Sequence, residues 1–324
     1  MQPKIKIILT SLIISILLML IKFGAYFITQ SNAILTDAAE SIVNVIASAF
    51  AFYSIYLAAL PKDQNHPYGH GKIEFFSAFV EGSLIILAGI IIIFKSCYNL
   101  FYPQAVKDIL QGSYLIAFTG VINGAYGWYM VKKSEKLNSI TLQADGHHLI
   151  TDAFSSFGLV VGLVLIYFTK IGWLDSALSI AIAFFIIYNG YRLTRKSIGG
   201  LMDESDVKII QKIISYLNIN RKNDWIDIHN LRTQRYGSQL HIDCHVTLPC
   251  YYDLNKVHQE ISEIDRIINE NVNSETEFFI HADPCIPQCC HYCNKPDCPV
   301  RQEPKRKEIE WTLENVTKNN KHFE

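Results

Sequence analysis

Long apolar runs dominate the first two thirds of the chain. A helix that crosses a bilayer needs roughly 20 mostly apolar residues, and six stretches approach or exceed that length. They cover residues 7–28, 33–60, 76–101, 113–132, 142–169 and 171–194. We therefore predict an α-helical membrane protein with six transmembrane helices, which form one domain over residues 1–203.

The pattern changes after residue 203 to shorter, amphipathic segments. Apolar spacing predicts helices over 205–217 and 253–271, and short β-type runs predict strands over 225–235, 239–248 and 277–281. An αββαβ order is typical of a two-layer α+β domain of ferredoxin-like type, which we place at residues 204–284. A Cys-rich segment and a charged tail fill residues 285–324, and we expect the tail after Arg301 to be disordered.

The charged residues follow the same division. Residues 1–200 contain 24 of them (12%) and residues 201–324 contain 35 (28%), whereas soluble proteins carry about 25%. The formal net charge of −1 gives no electrostatic case for nucleic-acid binding.

Lysine and arginine concentrate in alternate loops, which predicts the orientation of a multi-pass protein. One side of the predicted membrane domain carries Lys4, Lys6, Lys62, Lys72, Lys132, Lys133, Lys136, Arg192, Arg195 and Lys196. The opposite loops hold only Lys107 and Lys170. We expect both termini to be cytoplasmic and the membrane to be the inner (plasma) membrane of the cell.

Ionisable side chains inside two predicted spans indicate a functional site, because each costs about 2.5–3.5 kcal/mol to insert. In the second span, Asp37, Glu40 and Asn44 fall at i, i+3 and i+7, on one helical face. In the fifth, His148 and Asp152 lie one turn apart, which suits a divalent transition metal. We predict a four-ligand transport site of Glu40, Asn44, His148 and Asp152, with Asp37 auxiliary. The alternative is that these residues cap helices or hydrogen-bond between spans.

Three segments resemble the cation diffusion facilitator family, and the similarity extends to Cys285. They are Ser-Asn-Ala-Ile-Leu-Thr-Asp at residues 31–37 and running on to Asn44, Asn-His-Pro-Tyr-Gly-His-Gly-Lys-Ile-Glu at 65–74, and residues 144–152. Proteins of that family are six-span homodimers that export zinc or related divalent ions, usually in exchange for protons. The resemblance implies this function, a homodimer, and a transport site between spans two and five.

The second span departs from the family pattern. The family commonly has Asp or His at the first ligand position and Asp at the second, where this chain has Glu40 and Asn44. Asparagine is neutral and does not titrate, so the site has one negative charge and one proton carrier fewer. Metal choice and proton stoichiometry therefore stay open.

The loop between spans two and three offers a second ligand set. Asp63, His66 and His70, spaced i, i+3 and i+7, suggest a small metal site, and the resemblance implies one here. The alternative is a solvated polar loop. The resemblance also implies an ion pair between Lys72 and Asp203.

Five residues after residue 203 match, one by one, the cytoplasmic metal cluster of the family. They are His229, His245, His258, His281 and Asp283. The resemblance implies that bound ions bridge two protomers there, so that this domain could sense cytoplasmic metal. The alternative is that each residue has a separate surface role.

The Cys-rich segment is an addition to the basic family plan. Its candidate ligands are Cys285, Cys289, Cys290, His291, Cys293 and Cys298. Zinc or another thiophilic ion suits such a set, and a redox or disulfide role is the alternative. Cys97, Cys244 and Cys250 are isolated, and we interpret them as packing residues.

The sequence thus predicts a divalent-cation exporter, with Zn²⁺ the leading ion, that works by proton antiport as a homodimer. The alternatives are an exporter selective for Fe, Mn, Co or Ni, or a membrane-anchored metal sensor or scaffold. The sequence contains no Gly-x-x-x-x-Gly-Lys-Ser/Thr motif and no His-Glu-x-x-His motif, so we expect neither a nucleotide nor an enzyme.

Overall fold

The computed structural model describes residues 3–29, 32–101, 109–169, 173–237, 239–272 and 276–322. The chain forms two compact units, residues 1–201 and residues 202–324.

The described part of the first unit contains six long helices. They are α1 (Pro3–Thr29), α2 (Asn32–Ala58), α3 (Ile73–Phe101), α4 (Ile109–Leu137), α5 (Ile140–Thr169) and α6 (Trp173–Leu201). Within the described residues, three helical segments are long and apolar enough to cross a membrane: Pro3–Gly24, Ser41–Ala58 and Ile73–Phe101. The count of six spans therefore stays a prediction.

Glycine pairs allow the helices of this unit to approach closely. A Cβ on Gly127 of α4 would lie 2.7 Å from the carbonyl oxygen of Gly146 in α5, and a Cβ on Gly190 of α6 would lie 3.0 Å from that of Gly82 in α3. Small residues at such crossings are typical of helices that pack in membranes. The close contact with α4 fixes the position of α5, which carries His148 and Asp152.

The second unit has the αββαβ order that the sequence predicts. Its elements are α7 (Val207–Ile219), β1 (Asp227–Tyr236), β2 (Gln239–Leu248), α8 (Leu254–Asn271) and β3 (Thr276–Pro284). The sheet order is β1-β2-β3, with β1 and β2 antiparallel and β2 and β3 parallel. Alternate residues of β2, such as Ile242 and Val246, are fully buried in the core with the apolar sides of α7 and α8.

A bulge in β1 provides a backbone donor for the C-terminal tail. The register of the β1–β2 pairing shifts between His229 and Arg232. Asn230, which lies in this interval, has a φ of 55°. The extra residue of a bulge has no partner across the ladder, and the Asn230 N–H donates to the carbonyl of Lys318 at 2.7 Å.

The expectation that the tail after Arg301 is disordered is wrong. Trp311 is 2% exposed and Val316 is 1% exposed, and both belong to the core of the second unit. A short helix, α9 (Leu313–Val316), lies between Trp311 and the β1 contact. The burial of Trp311, an aromatic residue with about 150–250 Å² to bury, outweighs the high charge of the surrounding segment.

Candidate functional site

Three of the four predicted transport ligands lie together between α2 and α5. The side-chain amide of Asn44 donates from Nδ2 to Asp152 Oδ2 at 2.6 Å, and its Oδ1 lies 2.9 Å from His148 Nε2. His148 Nε2 is also 3.9 Å from Asp152 Oδ2. Asn44 therefore bridges an imidazole and a carboxylate that α5 places one turn apart. The side chains of Glu40 and Asp37 lie outside those that the structure describes.

The hydrogen bonds of Asn44 define the proton positions in this cluster. A carboxylate only accepts hydrogen bonds, so the amide nitrogen faces Asp152 and the amide oxygen faces His148. The imidazole must then carry its proton on Nε2, where it donates to Asn44. This proton must leave Nε2 before that nitrogen can bind a metal ion.

A buried carboxylate lies beside the cluster and joins three helices. Asp145 of α5 is 0% exposed and accepts hydrogen bonds from Ser11 of α1 at 2.6 Å and from Ser48 of α2 at 2.9 Å. Ser48 lies one turn after Asn44. The two hydroxyls give Asp145 a structural role that holds α2 and α5 in register.

Two buried glutamates of α3, Glu74 and Glu81, lie outside the predicted sites. Glu74 accepts from Lys4 Nζ at 2.9 Å and from the Ser139 hydroxyl, so it links α3 to α1 and to the start of α5. Glu81 is 0% exposed, and neither of its carboxylate oxygens has a hydrogen-bond partner among the described residues. The insertion cost of a charge within an apolar run is the signal that could have identified Glu81.

The loop before α3 brings its three predicted ligands together. Asp63 Oδ1 lies 3.1 Å from His66 Nδ1, and Asp63 Oδ2 lies 3.3 Å from His70 Nε2. One ligand atom from each residue lies within 4.8 Å of the others. The chain turns back at Gly69, whose φ of 86° favours glycine.

The same loop keeps its carboxylate ionised. The backbone N–H of His66 donates to Asp63 at 2.6 Å and lowers the pKa of that carboxyl. A carboxylate beside two imidazoles is a ligand set that suits a divalent transition metal. Lys72 lies in the first unit and Asp203 in the second, and their pairing stays a prediction.

In the second unit, three of the five predicted ligands form a close cluster. His229 of β1 lies opposite His245 of β2, and Asp283 is near the end of β3. Asp283 Oδ2 is 3.4 Å from His229 Nε2 and 3.5 Å from His245 Nδ1. Burial lowers the pKa of His229, although Asp227 and Asp283 act in the opposite direction. The imidazole is therefore in its neutral, metal-binding form at neutral pH.

The second oxygen of Asp283 faces another predicted ligand. His281 pairs with His245 across β2 and β3, and its Nε2 lies 3.4 Å from Asp283 Oδ1. Asp283 therefore has imidazoles on both carboxylate oxygens, an arrangement that can serve two neighbouring ions. His258 is exposed on α8, and its part in this cluster stays a prediction.

The start of β1 and the C-terminal tail add further residues around this cluster, which are not among the predicted ligands. Asp227 is 0% exposed, with one oxygen 3.9 Å from His229 Nδ1, and it contacts His322 and the Tyr292 hydroxyl. Lys321 Nζ lies 3.6 Å from Asp283 Oδ2. The positive charge of this ammonium group would oppose a metal ion bound to the same oxygen of Asp283.

The Cys-rich segment folds against the end of the sheet. A 3₁₀ turn (Pro287–His291) contains Cys289, which is buried, and Cys293 follows it into the interior. Burial raises the pKa of Cys285 to about 12 and also raises the pKa of Cys293. His291 Nε2 lies 3.3 Å from Glu303. Cys244 is buried in the core, as predicted, but Cys250 is exposed and lines a cavity with the Cys-rich segment.

A helical unit with apolar, membrane-length helices and a histidine–carboxylate cluster between two of its helices, followed by an αββαβ unit with its own histidine–aspartate cluster, is typical of membrane metal transporters. The model of the cation efflux transmembrane domain matches residues 8–202, and that of the cation efflux protein cytoplasmic domain matches residues 203–285. The chain belongs to the cation diffusion facilitator family, whose members are transporters of cations rather than enzymes.

Curated relatives span most of the chain. An uncharacterized transporter of Synechocystis is 33% identical over 82% of this chain and 85% of its own length. The cation-efflux pump FieF of Shewanella oneidensis is 27% identical over 82% and 89%, respectively. A cadmium, cobalt and zinc/H(+)-K(+) antiporter of Bacillus subtilis is 26% identical over 87% and 93%.

Proposed function

We propose that this protein exports divalent metal ions, with Zn²⁺ the leading substrate, from the cytoplasm in exchange for protons. In this proposal it works as a homodimer in the inner (plasma) membrane, with six spans and both termini cytoplasmic. Membership of the cation efflux family supports metal transport. The names of the relatives that handle cadmium, cobalt and zinc support a soft or borderline divalent ion.

The observation that carries the proposal is the cluster of Asn44, His148 and Asp152. It supplies an amide oxygen, an imidazole nitrogen and a carboxylate from two helices, and Asn44 lies within hydrogen-bonding distance of both other side chains. A membrane anchor needs none of these groups, and they are costly to keep in a bilayer. An ion bound here would replace the hydrogen bonds of Asn44 with coordination bonds, and Glu40 is the proposed fourth ligand.

Proton exchange follows from competition at the same atoms. A metal ion requires a bare His148 Nε2 and an ionised Asp152, whereas protons at either group exclude the metal. Loading from the cytoplasm and release on the more acidic side therefore move metal and protons in opposite directions. Alternating exposure of the site to the two sides would complete the cycle.

Flux through purified protein in vesicles tests this proposal. We expect Zn²⁺ to drive proton movement, measured with an internal pH dye, and we expect Asp152→Asn to abolish it. Asp265→Asn, the same change on the α8 surface of the second unit, is the matched control and should transport normally. Full flux in Asp152→Asn would contradict the site, and no flux in the unmodified protein would favour the sensor or scaffold alternative.

The same vesicles address the choice of ion. Oxygen and nitrogen ligands also accept Fe, Mn, Co and Ni, and affinity order alone does not select among them. We expect Zn²⁺ to compete most effectively in a panel of these ions at equal free concentration. A different order would assign another physiological substrate to the same site.

The second unit is the proposed regulator and dimer contact. The family model of this unit, whose name denotes a dimer, supports a homodimer. Bound ions at His229, His245, His281 and Asp283 would reduce carboxylate repulsion there and stabilise the dimer at high cytoplasmic metal. We propose that His258 completes this site, that the loop site of Asp63, His66 and His70 also binds metal, and that Lys72 pairs with Asp203.

A further inference from the structure

Six cysteines from two separate parts of the second unit line one small cavity. The cavity has a volume of about 70 Å³, and its sulfur-bearing residues are Cys250, Cys285, Cys289, Cys290, Cys293 and Cys298. A cavity that holds one water molecule needs about 10–15 Å³ on this scale, so there is room for an ion. Cys250 lies 35 residues before Cys285 in the sequence.

The parallel pairing of β2 with β3 brings the first two cysteines together. Leu248 at the end of β2 pairs with Pro284 at the end of β3. The N–H of Cys285 donates to the Leu248 carbonyl at 2.9 Å, and the N–H of Cys250 donates to Cys285 Sγ at 3.4 Å. A cysteine therefore follows each of these two strands at the same end of the sheet.

The Cys-rich segment closes the cavity from the other side. The Tyr292 hydroxyl lies 3.4 Å from Cys289 Sγ and holds that buried sulfur in place. Arg301 donates to the carbonyls of Cys290 at 3.2 Å, Cys293 at 3.3 Å and Lys295 at 2.7 Å. These contacts shape the segment without a disulfide, since all eight cysteines of the chain are free thiols.

We propose that this cavity binds a thiophilic divalent ion such as Zn²⁺ through four cysteine thiolates, with Cys250 and Cys285 among the ligands. Cysteine sulfur is the ligand that structural Zn²⁺ sites favour. The thiol protons pass to solvent as the ion binds, so no redox partner is required. His291 does not line the cavity, and its Nε2 lies 3.3 Å from Glu303, so its part as a ligand stays a prediction.

The ion would link the strand ends to the C-terminal segment. Among the described residues, no three of these sulfur atoms lie within 4.8 Å of one another, whereas the two histidine clusters meet that limit. Coordination at about 2.3 Å would draw the sulfur atoms inward. A staple of this kind would stabilise the second unit independently of transport through the first.

Cobalt spectroscopy of the full-length protein in detergent tests this site. The protein is reduced, stripped of metal with a chelator and titrated with Co²⁺. We expect thiolate-to-cobalt charge-transfer absorption in the near ultraviolet, with one Co²⁺ bound per chain through sulfur, and we expect Zn²⁺ to abolish it. Absence of this absorption in reduced protein, with all eight thiols reactive after unfolding, would overturn the proposal without reference to any variant.

Variants then assign the ligands. The double variant Cys250→Ser with Cys285→Ser should lose about half of the charge-transfer absorption or more, because it lacks two of the four proposed thiolates, and Cys97→Ser in α3 is the matched control that should keep it. His148→Ala and His245→Ala should also keep it, because those sites contribute no sulfur. Undiminished absorption in the double variant would refute the involvement of the strand ends. Failure of transport in the vesicle experiment would leave this result unaffected.

Discussion

Replacing Asn44 with aspartate exchanges a side-chain amide for a carboxylate at the centre of the proposed transport site. In the protein, the Asn44 amide donates to Asp152 at 2.6 Å. In Asn44→Asp, two carboxylate oxygens would face each other at that distance, with His148 beside them. Hydrogen bonding between the two side chains is then possible only if one of them carries a proton.

The size of the effect follows from the distance. Two unit charges 2.6 Å apart repel by about 6 kcal/mol at an effective dielectric constant of about 20. This exceeds the 1.4 kcal/mol that corresponds to a tenfold change in an equilibrium constant, so the metal-free variant should hold a shared proton at neutral pH. A bound divalent ion would release that proton, because the ion offsets the repulsion. We therefore expect one additional proton to be exchanged per metal ion.

The measurement is the ratio of protons to Zn²⁺ in vesicles, together with the slope of Zn²⁺ affinity against pH. Asn269→Asp is a matched control, since Asn269 donates to Asp265 at 2.8 Å on the exposed surface of α8. There the repulsion is only about 1.5 kcal/mol, because water screens it, and transport should not change. An unchanged proton ratio and pH slope in Asn44→Asp would refute the role of Asn44 in the site.

Three further predictions concern the second unit. Trp311→Ala should destabilise this unit by about 3–5 kcal/mol, the usual cost of truncating a buried aromatic, and hydrogen exchange of the strand amides would measure it. Burial alone would raise the pKa of Glu260, but hydrogen bonds from Lys256, Trp225 and Lys222 lower it. The stability advantage over Glu260→Gln should therefore shrink as pH falls below about 4, which urea unfolding at several pH values would show; a constant difference would contradict it. His245→Gln should weaken Zn²⁺ binding at the cluster of His229, His245 and Asp283 at least about tenfold, measured by calorimetry after the tighter thiolate site is filled, whereas His241→Gln on the same strand should not.

Sequence periodicity predicts the elements of the second unit well because each has one buried face. Predicted strand 239–248 coincides with β2, and predicted helices 205–217 and 253–271 overlap α7 and α8. Periodicity fails for the tail after Arg301, where Trp311 and Val316 are too few to form a pattern. Their burial depends on the core that the preceding elements create.

A candidate site can be predicted from the sequence where its ligands lie close together in one helix or loop. It is harder to predict where the fold brings together residues that are distant in sequence. His148 and Asp152 are one helical turn apart, and Asp63, His66 and His70 share one loop, so spacing alone indicates them. Cys250 is isolated in sequence, and only the pairing of strand ends brings it to the Cys-rich segment.

Transport and structural retention of a metal ion make opposite demands on ligands, and the chain meets them with different side chains. A carrier site must release its ion in every cycle, which favours ligands that protons remove easily, such as an imidazole and a carboxylate. Neutral Asn44 lowers the negative charge there further. Four thiolates hold Zn²⁺ far more tightly and would stall a carrier, but they suit an ion that stays in place. The proposed separation of nitrogen and oxygen ligands in the helical unit from sulfur ligands in the second unit therefore keeps the exported ion distinct from the resident one.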